Sequence, residues 1–173
     1  MEEIEVPTEH LHETIDEKVE DAIKKNEKGW SMYLAISTAL IAVLAAISAL
    51  LAGNHSDEAV IEQIKASDQW SYYQAKGIKA DIMELGVAEG KADQSKVDKY
   101  KTDQANIAAI AKEHEQESEV HSEKHRKLSR AVTFFQIAIA ISAIAILTRR
   151  KQLWYGSLLL ASGGIVFFIM GLL

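Results

Sequence analysis

Residues 32–52, MYLAISTALIAVLAAISALLA, decide the fold, because this stretch contains no Asp, Glu, Lys or Arg. At a helical rise of about 1.5 Å per residue it is about 31 Å long, which matches the roughly 30 Å hydrocarbon core of a bilayer. Two further stretches without charge follow, at 131–147 and 153–173. We therefore predict an all-α membrane protein with three transmembrane helices.

The remaining composition narrows the class of protein. All 25 acidic and 19 Lys or Arg residues lie outside the three apolar stretches, and no segment is basic enough to predict a nucleic-acid surface. The sequence has no Cys, which excludes disulfides and thiol chemistry. An acidic lead of 31 residues precedes the first stretch, so we expect that stretch to remain as an anchor and not to be cleaved as a signal peptide.

The order of charged and apolar segments predicts six regions. Residues 1–29 form an amphipathic helix, since Leu11, Ile15 and Val19 recur every four residues and Thr8 can cap its start. The other regions are a transmembrane helix at 30–53, an extramembrane helical hairpin at 54–130 with its turn near 86–90, a transmembrane helix at 131–148, a short basic loop at 149–152 and a transmembrane helix at 153–173.

The hairpin is predicted from two proline-free helical runs separated by Gly86 and Gly90. Apolar residues spaced three and four apart predict a coiled-coil-like antiparallel contact between the arms. The first arm supplies Ile61, Ile64, Asp68, Ser71, Ala75, Ile78, Ile82 and Leu85. The second supplies Val97, Tyr100, Gln104, Ile107, Ala111, His114, Ser118, His121, His125, Leu128, Val132 and Phe135, and it continues into the second span without a breaker, so we expect one continuous helix.

Small residues and aromatic residues predict packing and depth in the membrane. Small side chains let helices approach closely in lipid, and they form stripes at Ala39, Ala42, Ala46, Ala49 and Gly53 and at Gly156, Gly163, Gly164 and Gly171. Trp and Tyr at the starts of two spans, namely Trp30, Tyr33, Trp154 and Tyr155, suit membrane interfaces. Trp70 and Tyr73 are interpreted as packing anchors of the hairpin. Because polar residues interrupt the predicted contact between the arms, we expect a homo-oligomer to support the hairpin.

Three segments carry a family resemblance. They are residues 5–13 (EVPTEHLHE), 51–55 (LAGNH) and 65–76 (KASDQWSYYQAK). On these motifs the chain resembles the bacterial family of small multi-span membrane proteins known as domain-of-unknown-function family 4337. The resemblance implies a bacterial membrane protein and brings no activity, cofactor or functional residue with it.

Histidines form the one constellation that suits metal chemistry. His121 and His125 are one helical turn apart, and a hairpin folded about Ala88 places residues whose numbers add to about 176 opposite each other. His55 then faces His121 and has Glu58 nearby, so His55, Glu58, His121 and His125 are candidate metal ligands. The alternative interpretation is that a helix rich in Glu and Lys carries such pairs by chance. No cofactor is expected, and no catalytic motif is present in the sequence.

These patterns lead to one functional hypothesis and two alternatives. We expect a non-enzymatic membrane-anchored structural or interaction module, such as a scaffold, spacer or accessory subunit, that self-associates and has the lipid bilayer and an unidentified protein as partners. The alternatives are a sensor or gating component that responds to pH, metal or a partner, and a small oligomeric channel. Basic residues Arg149, Arg150 and Lys151 favour a bacterial inner-membrane topology with a cytoplasmic N-terminus and an extracytoplasmic hairpin.

Overall fold

The computed structural model describes the backbone of residues 8–173 and the side chains from Gly29 onward. This part of the chain forms three helices and contains no strand: α1 spans Thr8–Ala88, α2 spans Gln94–Thr148 and α3 spans Lys151–Leu172. The prediction of an all-α chain is therefore confirmed. The apolar residues predicted for the N-terminal amphipathic helix, Leu11, Ile15 and Val19, precede Gly29. They lie outside the residues whose side chains the structure describes.

Two predicted boundaries are wrong. The first helix does not end near Gly29, because α1 is continuous over 81 residues. An isolated glycine costs a helix only about 1 kcal/mol relative to alanine, and no proline follows Gly29 to enforce a break. The basic loop is also shorter than 149–152, since α3 begins at Lys151. Arg149 adopts a positive φ of 51°, which ends α2 and leaves two residues for the connection.

The turn of the hairpin lies a few residues later than predicted. Gly86 remains inside α1, whereas Gly90 has φ of 70° and ends the helix. The Lys91 N–H donates to the Gly86 carbonyl and the Gly90 N–H to the Val87 carbonyl, which together form a Schellman motif. On the other side, Asp93 caps α2, because its carboxylate accepts the Ser95 N–H at 3.1 Å. Local hydrogen bonds therefore close the turn at both ends.

The helices divide into two compact units. One comprises residues through Ala45 together with residues 134–162. In this unit α1, α2 and α3 pack around small and aliphatic side chains, and the Ser142 hydroxyl donates to Ser157 at 2.9 Å. The Trp154 indole N–H donates to the Ser37 hydroxyl at 3.1 Å, so a side-chain hydrogen bond links α3 to α1. Buried positions of this unit are Leu34, Ile41, Ala45, Phe135, Ala138, Ser142, Ala145, Ser157 and Ala161.

The second unit comprises residues 46–133 together with residues 163–173. Its two arms run antiparallel, with the Ala59 carbonyl accepting the Ser118 hydroxyl at 2.8 Å and the Tyr73 carbonyl accepting the Gln104 amide at 3.2 Å. Near the end of α3, Gly171 lies against Leu128, because a Cβ at Gly171 would come within 2.8 Å of two Leu128 side-chain carbons. The pairing register is the one that a hairpin folded about Ala88 predicts.

The contact face of the first arm differs from the sequence prediction. Its buried residues are mainly alanines spaced by multiples of seven, at Ala52, Ala59, Ala66 and Ala80. The predicted contact residues of this arm, from Ile61 to Leu85, are all exposed. On the second arm the prediction is confirmed at its apolar positions, since Val97, Ile107, Ala111 and Leu128 are buried. The arms thus approach through small residues on α1 and larger residues on α2.

Each of the three helices contains a segment long and apolar enough to cross a membrane. Large aliphatic side chains in these segments point away from the protein interior; Leu40 is 62% exposed, Leu50 66% and Leu159 73%. Such apolar surface suits contact with lipid hydrocarbon. The continuous second helix is confirmed, because α2 runs unbroken from the hairpin into the second apolar segment.

Candidate functional site

Facing positions of the two hairpin arms bring histidine and glutamate side chains together. On α1 they are His55, Glu58 and Glu62, spaced three and four residues apart, so they lie on one side of the helix. On α2 they are His114, Glu117 and His121 with the same spacing. We call these six residues the His–Glu cluster. An open groove of about 420 Å³ runs beside it and is lined by Glu58, Glu62, Glu117 and His121 together with Glu113, Gln116 and Val120.

Glu62 is the most buried member of the His–Glu cluster, with its side chain 9% exposed. Its Oε2 lies 2.6 Å from His114 Nδ1, and its Oε1 accepts a hydrogen bond from the Lys65 ammonium at 2.7 Å. The hydrogen bond from Lys65 lowers the pKa of Glu62 below its ordinary value of 4.5, and the contact with His114 lowers it further against the opposing effect of burial. Glu62 is therefore a carboxylate at neutral pH, with both oxygens engaged.

Glu117 completes a three-residue donor set with Glu62 and His114. Its Oε2 lies 3.7 Å from His114 Nδ1, and one ligand atom from each of the three residues lies within 4.8 Å of the others. Within the described residues, this is the group of three whose donor atoms are close enough to share one metal ion. Imidazole nitrogen and carboxylate oxygen are ligands that first-row divalent ions accept.

His55 and His121 pair across the arms one turn further along the cluster. Their Nδ1 atoms are 3.0 Å apart, so one imidazole donates and the other accepts, and their ring centroids are 5.2 Å apart. Burial lowers the pKa of His55 below 6.5, and the neighbouring His121 lowers it further. Glu58 reaches His121 from the other side, with Oε2 3.9 Å from Nε2. The structure thus brings together three of the four residues predicted as metal ligands.

His125, the fourth predicted ligand, makes different contacts. Its Nδ1 donates to the Ala52 carbonyl at 2.8 Å, and its Nε2 lies 3.4 Å from the Ser129 hydroxyl. The helical spacing between His121 and His125 is as predicted, but the Nδ1 proton of His125 binds the backbone of α1. His125 therefore links the two arms as a hydrogen-bond donor.

Glu62 and Glu117 were not predicted as ligands from the sequence. His114 was predicted to share one helical stripe with His121 and His125, but not to bind the metal. The hairpin register contains the signal for this pair. Residues whose numbers add to about 176 lie opposite each other, so residue 62 faces residue 114. A glutamate facing the partner helix conflicts with the usual apolar pattern of such a face, so residue type alone does not select it. Contacts with Lys65 on the same helix and with His114 on α2 are what allow this carboxylate to be buried.

The predicted packing residues fall into two groups. Trp70 and Tyr73 are half-buried and meet edge to face at 5.4 Å, and the Trp70 indole donates to Glu115 on α2 at 2.8 Å. In α3, Gly164 is buried and Gly163 half-buried. The small residues of α1 are instead exposed at every predicted position: Ala39, Ala42, Ala46, Ala49 and Gly53. Contacts within the chain therefore use other residues of this span.

A second exposed feature lies on the first hairpin arm, and we call it the outer stripe. It consists of the residues that sequence analysis placed against α2: Ile61, Ile64, Asp68, Ser71, Ala75, Ile78, Ile82 and Leu85. Its large aliphatic side chains are between 49% and 70% exposed. The three-four spacing that predicts a helix contact is real, but in the part of the chain that the structure describes no helix covers this face of α1.

No curated protein and no solved structure matches the chain. The family described as "Domain of unknown function (DUF4337)" matches residues 30–173, which includes both hairpin arms and all three apolar segments. On that match, the chain belongs to the DUF4337 family.

Proposed function

We propose that this protein is a non-enzymatic, membrane-anchored structural or interaction module that self-associates through the outer stripe. The observation that carries the proposal is the exposure of Ile61, Ile64, Ile78, Ile82 and Leu85 along one face of a helix. Contiguous exposed apolar surface on a folded protein commonly marks a site of protein contact. A three-four spacing specifies the shape of the partner, because it fits a second helix.

A second copy of this chain is the partner that best fits the outer stripe. Copies inserted in one membrane share one orientation, so a symmetric pair brings the two stripes together in parallel and in register. In such a pair the flanking positions place Val60 near Lys65, Ser67 near Tyr72 and Gln74 near Lys79 of the other copy. No like charges meet along these flanks, which makes the stripe compatible with itself.

Asp68 is the one charged residue of the outer stripe itself. In a parallel, in-register pair it faces Asp68 of the other copy. Two facing carboxylates weaken a helix pair, but polar residues at such positions fix its register and subunit number. The aliphatic residues on both sides offset that cost. Fully burying an aliphatic side chain contributes about 1.5–3 kcal/mol, so the five partly exposed ones contribute about 1–2 kcal/mol each.

The experiment compares the outer stripe with an equally apolar position elsewhere on the hairpin. The double variant Ile78→Ser, Ile82→Ser removes two aliphatic side chains from the stripe, whereas Ile110→Ser removes one from the exposed surface of α2. Mass measurement in detergent and in nanodiscs is expected to give an oligomer for the wild type and for Ile110→Ser, and monomers for the double variant with unchanged helix content. A monodisperse wild-type monomer at several detergent concentrations would contradict the proposal.

The proposed location is a bacterial inner membrane, with the N-terminus in the cytoplasm and the hairpin outside. Its support is the short connection beside Arg149, Arg150 and Lys151, because basic residues near span ends remain on the cytoplasmic side. The chain has no Cys, so Glu89→Cys at the hairpin turn introduces a single thiol. We expect an impermeant thiol reagent to label it in intact spheroplasts. Labelling only after lysis would reverse the orientation.

A further inference from the structure

We propose that Glu62, His114 and Glu117 bind one first-row divalent ion such as Zn²⁺ between the two arms of the hairpin. Glu62 belongs to α1, whereas His114 and Glu117 belong to α2. His114 follows Glu62 by 52 positions in the sequence and Glu117 follows it by 55. The geometry of the site therefore depends on how the two arms pair. It is independent of the outer stripe, so it goes beyond the proposed self-association.

The donor distances suit a small coordination sphere. Ligand atoms about 2.0–2.2 Å from a tetrahedral zinc ion are about 3.3–3.6 Å from one another. The His114 Nδ1 to Glu117 Oε2 distance of 3.7 Å is close to that value. The His114 Nδ1 to Glu62 Oε2 distance of 2.6 Å is a hydrogen bond, in which a proton lies where the ion would bind. Replacing that proton by the ion requires these two atoms to separate by less than 1 Å, roughly.

The charges around the site also suit a divalent ion. Two carboxylates and one imidazole balance the +2 charge of the ion itself. The Lys65 ammonium adds one positive charge beside Glu62, and Glu58 is close enough to interact with it. Lys65 binds Oε1 of Glu62 at 2.7 Å, which leaves Oε2 directed toward His114 as a single donor atom. A hydrogen bond to the second oxygen of a ligand carboxylate is the usual way in which proteins orient such a ligand.

The open side of the site supplies access and further ligands. The groove beside Glu62 and Glu117 is also lined by Glu58, Glu113 and His121, and water can enter it. Because the donor set includes an imidazole, it favours zinc and its first-row neighbours over magnesium or calcium, which prefer oxygen alone. A bound ion joins α1 to α2 directly, so occupancy makes the two arms separate less often.

The test measures metal binding by the full-length protein, purified through a tag without histidine and stripped with a chelator. Calorimetric titration with Zn²⁺, and metal analysis after desalting, are expected to give one ion per chain, which an equal concentration of Mg²⁺ does not displace. Glu62→Gln and Glu117→Gln are expected to weaken binding more than about tenfold. Glu84→Gln is the matched control, because its carboxylate pairs with Lys101 outside the cluster, and it is expected to bind as the wild type does.

Glu117→Gln keeps the test decisive even where Glu62→Gln disturbs folding, since the Glu117 side chain is 53% exposed. Hydrogen exchange provides a second readout: zinc is expected to slow exchange in residues 58–66 and 111–121 of the wild type and to leave Glu117→Gln unchanged. Three results would overturn the proposal. The first is a wild type that retains no zinc, and the second is a Glu117→Gln variant that binds zinc with wild-type affinity. The third is loss of zinc by His55→Gln while Glu62→Gln and Glu117→Gln still bind it.

Discussion

The face of α1 that contacts α2 can be tested by adding the same side chain to opposite sides of one helix. Ala66 is fully buried, and in the observed register it faces Ala111, which is also fully buried. Ala75 belongs to the outer stripe and is exposed. The variants Ala66→Leu and Ala75→Leu therefore make an identical change in helix composition, and only the first adds volume between the arms.

The structure gives different magnitudes for these two variants. Leucine at position 66 adds three carbon atoms to a fully buried position, and overpacking of this kind costs about 1–3 kcal/mol. The unit that contains the hairpin comprises residues 46–133 and 163–173. For a unit of about this size, each kcal/mol lost from the free energy of unfolding lowers the melting temperature by about 4–8 °C. Ala66→Leu is thus expected to melt at least about 4 °C below the wild type. In the Ile78→Ser, Ile82→Ser background, which is expected to be monomeric, Ala75 is exposed, and Ala75→Leu is expected to change the free energy of unfolding by less than about 0.5 kcal/mol.

Circular dichroism during heating in detergent gives the melting temperatures, and hydrogen exchange identifies the loosened segment. We expect faster exchange in both arms around residues 60–72 and 105–117 for Ala66→Leu only. The opposite ranking, with a stable Ala66→Leu and a destabilised Ala75→Leu, would show that the Ile-rich face contacts α2. The reasoning from burial would then be refuted.

Two further predictions concern α3 and the middle of the hairpin. Gly171→Ala is expected to destabilise the protein by about 1–3 kcal/mol in a detergent unfolding assay, because its methyl group would overlap Leu128, whereas Gly156→Ala has open space and is expected to be neutral or stabilising. The Lys76 ammonium, 2.7 Å from Asp103, holds the pKa of that carboxyl below 3.8, and Asp103 raises the pKa of Lys76 above 10.5. Their contribution to stability is therefore present between about pH 4 and pH 10, and it is lost below the folded pKa of the acid and above that of the amine. Asp103→Asn is expected to reduce the acid-side loss when melting temperature is measured against pH, and the part of the loss that comes from Glu62 is expected to remain.

The contact face of the first arm shows where sequence reasoning reached its limit. Two stripes on this helix have the same spacing, one of alanines and one that includes Ile61, Ile78 and Ile82. Periodicity cannot choose between them, and hydrophobicity favours isoleucine. The arms instead pack through alanines of α1, and the buried residues of α2 include Ala111 as well as the larger Val97 and Ile107. Which face of α1 contacts α2 thus depends on the side chains of α2, and the sequence of α1 alone does not reveal it.

The His–Glu cluster was partly predictable for a related reason. A register set by the glycine-containing turn placed His55 opposite His121, and the structure has their Nδ1 atoms 3.0 Å apart. Glu62 was not predicted, because a buried carboxylate depends on partners from two helices. Those partners are Lys65, one turn away, and His114, 52 residues away. A local pattern can reveal the first partner, whereas the second follows only from the fold.

The hydrogen bonds of the turn have a consequence for the order in which the hairpin forms. The Schellman motif at Gly90 and the cap at Asp93 connect residues no more than five positions apart, so they cost little loop-closure entropy. Contacts between residues near in sequence form fastest, and each added pair then lies next to one already made. The hairpin is thereby suited to zip from its tip, with Lys76 and Asp103 meeting before His55 and His121. Substitutions at Gly90 would slow folding more than they would speed unfolding, a kinetic signature that substitutions at the far end of the arms would not share.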